Sequence, residues 1–116
     1  MTLFIDVDDT LVLWLTRDSA EGPHPYGAGA QGWARNQALL DAVERWRVSR
    51  PLEAVVVWSG GGREYAERWR DQLMPEAEHA LNKDIRLPGP ADVCVDDQYL
   101  KVSAQLLTWQ EFVEDD

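Results

Sequence analysis

Phe4-Ile5-Asp6-Val7-Asp8-Asp9-Thr10-Leu11-Val12 decides how this chain is read. The apolar run from Leu3 to Val7 is interrupted only by Asp6 and begins almost at the first residue. A run that short and apolar suits a strand buried on both faces. Carboxylates crowd its end, at Asp6, Asp8 and Asp9. Two later runs repeat the pattern. Ala54-Val55-Val56-Val57-Trp58 is β-branched and apolar and stops at Ser59-Gly60-Gly61-Gly62. Asp92-Val93-Cys94-Val95-Asp96-Asp97 is apolar in the middle and ends in two carboxylates.

Helical periodicity fills the gaps between these runs. From Trp33 to Arg47, Leu39, Val43 and Trp46 recur at i, i+4 and i+7, and Trp33, Leu40 and Val43 share a face. Tyr65, Trp69 and Leu73 place a second helix over Arg63–Met74, with Pro75 as its stop. Val102–Leu107 reads as a last strand, and Thr108-Trp109-Gln110-Glu111 has the capping-box pattern that opens a short terminal helix. Leu13 to Gly32 is irregular and punctuated by Gly and Pro, and a loop of that length usually carries function or is disordered. Strands alternating with helices predict an α/β fold, a three-layer Rossmann-like single domain over residues 1–116. Its central, mainly parallel sheet is expected to be covered on both sides. Ligands of such sheets bind beyond the carboxyl ends of the strands. That rule selects Asp6, Asp8, Ser59, Asp96 and Asp97.

Composition narrows the partners. The chain has 116 residues, enough for one domain, and 45% of them are hydrophobic, enough for a core. Acidic residues outnumber basic ones by 21 to 11, for a net charge of −10. Duplex nucleic acid and anionic membrane surfaces are therefore disfavoured as bulk partners. The lone Cys94 forms no intramolecular disulfide, and no apolar stretch approaches a membrane span. With neither a basic leader nor a small-residue cleavage site at the start, the expectation is a cytoplasmic protein.

Clustered carboxylates raise one another's pKa and oppose folding unless something neutralises them. A hard divalent cation with oxygen ligands does so, and Mg²⁺ fits best because it keeps waters and binds phosphate oxygens. One carboxylate then serves as nucleophile at phosphorus, and Asp8 as acid to the leaving group and base to water. Ser59, beside the amides of Gly60-Gly61-Gly62, would hold phosphate oxygens, and one lysine would balance the charge of the transferring group.

This constellation resembles the haloacid dehalogenase superfamily of phosphotransferases. Phe4–Val12 is similar to its first motif, DxDxT after an apolar strand; Val55-Val56-Val57-Trp58-Ser59 to its second; Val93-Cys94-Val95-Asp96-Asp97 to the double-aspartate form of its fourth. The resemblance implies that Asp6 forms an aspartyl-phosphate and that Asp8 is the general acid/base. It implies Mg²⁺ held by Asp6, the Asp8 backbone carbonyl, Asp96 and Asp97, with Asp96 favoured as the direct ligand. Lys83 is the expected phosphate-binding lysine, ahead of Lys101. It also implies a squiggle, flap and gating loop over about residues 12–32, with Trp14 as a substrate gate, and no separate cap domain. The expected activity is hydrolysis of a phosphomonoester, either a nucleotide or nucleic-acid terminal phosphate or a small sugar phosphate.

Two other readings stand beside it: a receiver-like phosphoacceptor module, and a protein that binds a phosphorylated ligand without turnover. Receivers carry the acceptor aspartate after the third strand, whereas here the mid-chain strand ends at Ser59. Cys94 reads as a core residue, His24 and His79 as surface or loop, and Trp33, Trp46 and Trp69 as helical core positions. Arg63, Arg68 and Arg70 form either a local guiding patch or pairs with Glu64 and Glu67. A Trp-rich chain without a cap also has surface for a homo-oligomer.

Overall fold

In the computed structural model the alternation of β-branched and apolar residues resolves into a five-stranded sheet with a different residue set on each face. Residues 1–15, 22–23 and 32–115 are described. Strand β1 (Thr2–Asp6) lies at the centre and pairs in parallel with β5 (Ala54–Ser59) on one side and β7 (Val93–Val95) on the other. Strand β6 (His79–Asn82) extends the sheet beyond β5, and β8 (Gln105–Leu107) extends it beyond β7, again in parallel. The order is β6-β5-β1-β7-β8. The chain steps one way from β1 and then returns to its other side, so the switch point lies between β1 and β7, where open α/β sheets bind ligands.

Period-two alternation sorts the core. Leu3, Ile5, Val55, Val57, Val93 and Val95 face all three helices: α1 (Gln37–Ser49), α2 (Arg63–Leu73) and α3 (Trp109–Asp115). Phe4, Val56, Trp58 and Cys94 face the other way and meet Leu100, Val102 and Ala104. Right-handed crossovers explain the split. The steps β1–α1–β5 and β5–α2–β6 advance in one direction and put their helices on one face. The connections 83–92 and 96–104 advance in the other direction, and Leu100, Val102 and Ala104 of the second make up a thin third layer. The α/β three-layer architecture is thus as expected, but among the described residues one of its outer layers contains no helix.

A smaller antiparallel sheet, β2 (Val12–Leu15), β4 (Gly32–Arg35) and β3 (Gly22–Pro23), follows the first motif. Two sequence expectations need correction here. Trp33 is not helical: it sits in β4 opposite Trp14, buried and edge-on to Trp69 at 4.9 Å. The helix starts four residues later because Asn36 caps it, its side chain accepting from the Leu39 amide at 3.3 Å. Leu13 to Gly32 also contains strand, since β2 and β3 fall within it. The rest of the expected flap and gating loop, residues 16–21 and 24–31 with His24, lies outside the described residues. Strand β6 has no counterpart in the apolar runs of the sequence. The terminal capping box is present, with Thr108 and Glu111 exchanging backbone-to-side-chain bonds of 3.0 and 3.2 Å. Among the described residues, no helix is long and apolar enough to cross a membrane.

Candidate functional site

Four parallel strands deliver their ends to one edge of the sheet. Asp6 closes β1, Ser59 closes β5, Lys83 follows β6, and Asp96-Asp97 follow β7. The Lys83 ammonium bridges two of them, 2.9 Å from Asp6 Oδ1 and 2.8 Å from Asp96 Oδ2. The Lys83 amide donates to the Ser59 carbonyl at 2.9 Å, which fixes the lysine's backbone against the end of β5. Lys83 rather than Lys101 is therefore the cation of this edge. Lys101 is exposed and is not among the residues lining the cavity here.

Burial sets the electrostatics. Asp6 is 5% exposed and Asp96 2%. Burial first, and then the neighbouring Asp96 charge, push the Asp6 carboxyl up to about 8 against the pull of Lys83. Burial also raises Asp96. Burial alone would lower Lys83, but hydrogen bonding to Asp96 and Asp6 outweighs it and holds the ammonium above its ordinary value. Two carboxylates share one lysine, and the site is short of positive charge.

The donor set fits a hard divalent cation. Carboxylate oxygens of Asp6, Asp96 and Asp97 all lie within 4.8 Å of one another. Asp96 Oδ1 accepts from the Gln98 amide at 3.0 Å, while its buried Oδ2 has the lysine charge nearby and no aligned hydrogen bond. Asp97 is exposed at the mouth.

Asp8 is held apart from that cluster. Its Oδ1 accepts from the Trp14 indole at 3.2 Å and from the Tyr65 hydroxyl at 2.7 Å. An open cavity of about 240 Å³ joins the two groups, lined by Asp6, Asp8, Asp9, Gly60, Gly61, Lys83, Asp97 and Gln98. Ser59 is not on that lining. It is 1% exposed, and its Oγ accepts from the Gly61 amide at 3.0 Å, so it shapes the glycine turn from below. Trp14 is half-buried and reaches Asp8. A second cavity of about 200 Å³, lined by Met1, Trp46, Arg50 and Phe112 among others, brings no comparable set of ionisable groups together.

The turn after β1 aims these groups. Asp9 takes a left-handed φ of 59°, a conformation that Asp tolerates better than most residues. The Leu11 and Val12 amides close back on Asp6 and Val7. Buried Asn36 ties the turn to α1, donating to the Thr10 carbonyl at 2.8 Å and taking the Leu11 carbonyl on its own amide at 3.0 Å.

Three residues of the site escaped the sequence reading: Tyr65, Asn36 and Gln98. Its spacing with Trp69 and Leu73 puts Tyr65 on an apolar helix face, yet its position in the first turn after the glycine run signals that it borders the strand ends. Arg63 and Arg70 do not form a free basic patch. Arg63 pairs with Glu67 at 2.8 Å and Arg70 with Asp71 at 3.0 Å. His79 is exposed and Cys94 buried, in keeping with their readings. Comparison with protein-family models, curated proteins and solved structures gave no match for this chain.

Proposed function

We propose that the chain is a Mg²⁺-dependent phosphomonoester hydrolase of the haloacid dehalogenase type, working through an aspartyl-phosphate on Asp6. One observation carries the reading: Lys83 lies between Asp6 and Asp96 while a second carboxylate, Asp8, is held separately on the same cavity. The carboxylates of Asp6, Asp96 and Asp97 would hold the cation, with the Asp8 backbone carbonyl as a further ligand. When bound, it supplies the positive charge that lets buried Asp6 ionise beside an anionic phosphate.

The chain's own residues divide the remaining work. Lys83 binds a phosphate oxygen and orients the group towards Asp6. The Gly60-Gly61 turn lets the phosphate approach the backbone closely. Asp6 attacks phosphorus in line with the leaving oxygen, and Asp8 gives that oxygen a proton. Asp8 then takes a proton from the water that releases phosphate from Asp6. The substrate is a phosphorylated small molecule or the terminal phosphate of a larger one, and the single buried cysteine suits a reducing, cytoplasmic setting.

Phosphate release from an aryl phosphate and a phosphomonoester panel, with Mg²⁺ or excess chelator, tests this for wild type and Asp6→Asn. Metal-dependent release that disappears in Asp6→Asn is the expected result. A folded wild type that turns over none of the panel overturns the hydrolase reading. Stable labelling of Asp6 by a small phosphodonor would instead favour the phosphoacceptor module.

A further inference from the structure

The leading mechanism gives Asp8 a task but does not say how its carboxylate is aimed, and the residues around it do. Among the described residues, both side-chain donors on Asp8 use the same oxygen. Tyr65 reaches Oδ1 from α2 at 2.7 Å, and Trp14 reaches it from β2 at 3.2 Å. Two donors from different directions fix the plane of a carboxylate and leave its second oxygen for other partners.

The surroundings are built to hold that pair. Trp69, fully buried, receives Trp33 edge-on at 4.9 Å and packs against Trp14 and Tyr65, each with ring centroids at 6.5 Å. This aromatic wedge binds the small sheet to α2 and sets the distance between the two donors. Gly61 adds a steric condition. A Cβ there would lie 3.1 Å from Tyr65 Cδ2 and 3.3 Å from Ser59 Oγ, so a larger residue would push on the tyrosine ring and the serine hydroxyl. Burial, and then the Asp8 hydrogen bond, raise the Tyr65 phenol above its ordinary value, so it stays a donor through neutral pH.

We propose that Tyr65, with Trp14 beside it, is a positioning residue that locks Asp8 through Oδ1 and so dedicates Oδ2 to the leaving group. The inference rests on the phosphatase reading and deepens it. In the first half-reaction an Asp6 oxygen bonds to phosphorus and the bond from phosphorus to the ester oxygen breaks. That bond's electron pair stays on the ester oxygen, which takes the proton from Asp8 Oδ2. Asp8 is left as a carboxylate whose new charge is met by the two donors already on Oδ1. An ester with a poor leaving group needs this proton; one with a good leaving group does not.

The test is kcat/KM for an alkyl phosphate and a nitrophenyl phosphate in wild type, Tyr65→Phe, Trp14→Phe and Gly61→Ala, with folding checked by circular dichroism. General acid catalysis contributes about 10²–10⁴-fold, so misaiming the acid should cost the alkyl ester about tenfold or more. The nitrophenyl ester should stay within about twofold in Tyr65→Phe, which keeps the ring and removes only the hydroxyl. Gly61→Ala and Trp14→Phe should shift the ratio of the two esters the same way. A purely structural role lowers both esters together and leaves the ratio unmoved. Parallel losses, or no loss, in folded Tyr65→Phe overturn the positioning role alone. No turnover of either ester by wild type overturns the phosphatase reading, and this inference with it.

Discussion

Replacing Asp6 by asparagine should abolish the proposed phosphatase activity and at the same time make the metal-free protein more stable. Asp6 is buried beside Asp96, and its carboxyl is raised from 3.8 to about 8. The sign follows from proton linkage. Between those two values the folded chain holds a proton on Asp6 that the unfolded chain has released, so stability falls as pH rises through the window. Below 3.8 the contribution is neutral, and above about 8 the loss is complete. Each pH unit inside the window costs roughly 1.36 kcal/mol. The penalty therefore reaches about 2 kcal/mol near pH 5 and about 4 kcal/mol near pH 7, as order-of-magnitude figures. Asparagine resembles the neutral acid in shape and cannot ionise, so it escapes the penalty. The assay is urea unfolding of both proteins in chelator at pH 4, 5 and 7. The stability gap should be small at pH 4 and widen with pH in favour of the variant. A gap that stays flat, or an Asp6→Asn protein less stable at pH 7, would show that Asp6 is not held against its own charge.

Lys83→Met removes the cation shared by Asp6 and Asp96 and should cost about 3 kcal/mol at pH 8 and less at pH 5, where Asp6 holds its proton; equal losses at the two pH values in urea melts would count against the bridge. Mg²⁺ should raise the melting temperature, more at pH 8 than at pH 5, with about 1.4 kcal/mol of stabilisation at ten times its Kd. Asp96→Asn should weaken that response, and an unchanged Mg²⁺ titration in this variant would remove Asp96 from the ligand set. Asn36→Ala deletes both the α1 cap and the bond to the Thr10 carbonyl, for an expected loss of about 2–3 kcal/mol. A change below about 0.5 kcal/mol would mean that the turn after β1 holds itself. Gly62→Ala forces a side chain into a φ of 110° at the start of α2 and should destabilise by about 1–2 kcal/mol on thermal melting.

The short apolar runs by themselves determined the central strands, because burial on both faces leaves so few polar positions that Leu3–Ile5, Val55–Val57 and Val93–Val95 stand out. They also determined at which end of the sheet the carboxylates gather, since each run stops at a carboxylate or hydroxyl and parallel strands must present those stops together. The chain could not announce β6, whose His79-Ala80-Leu81-Asn82 is too polar and too short to signal a strand until β5 gives it an edge to pair with. Nor could periodicity separate strand from helix at Trp33, where pairing with Trp14 and the Asn36 cap outweighed an apolar spacing that fits a helix. Only the tertiary structure settled that Lys83, 77 positions from Asp6, is the shared cation, and that Tyr65, 57 positions from Asp8, meets its carboxylate. A side-chain hydrogen bond depends on two distant backbones arriving at the right separation. That separation follows from crossover direction and from which small residue leaves room, as Gly61 does for the Tyr65 ring, and a local pattern of residues contains neither.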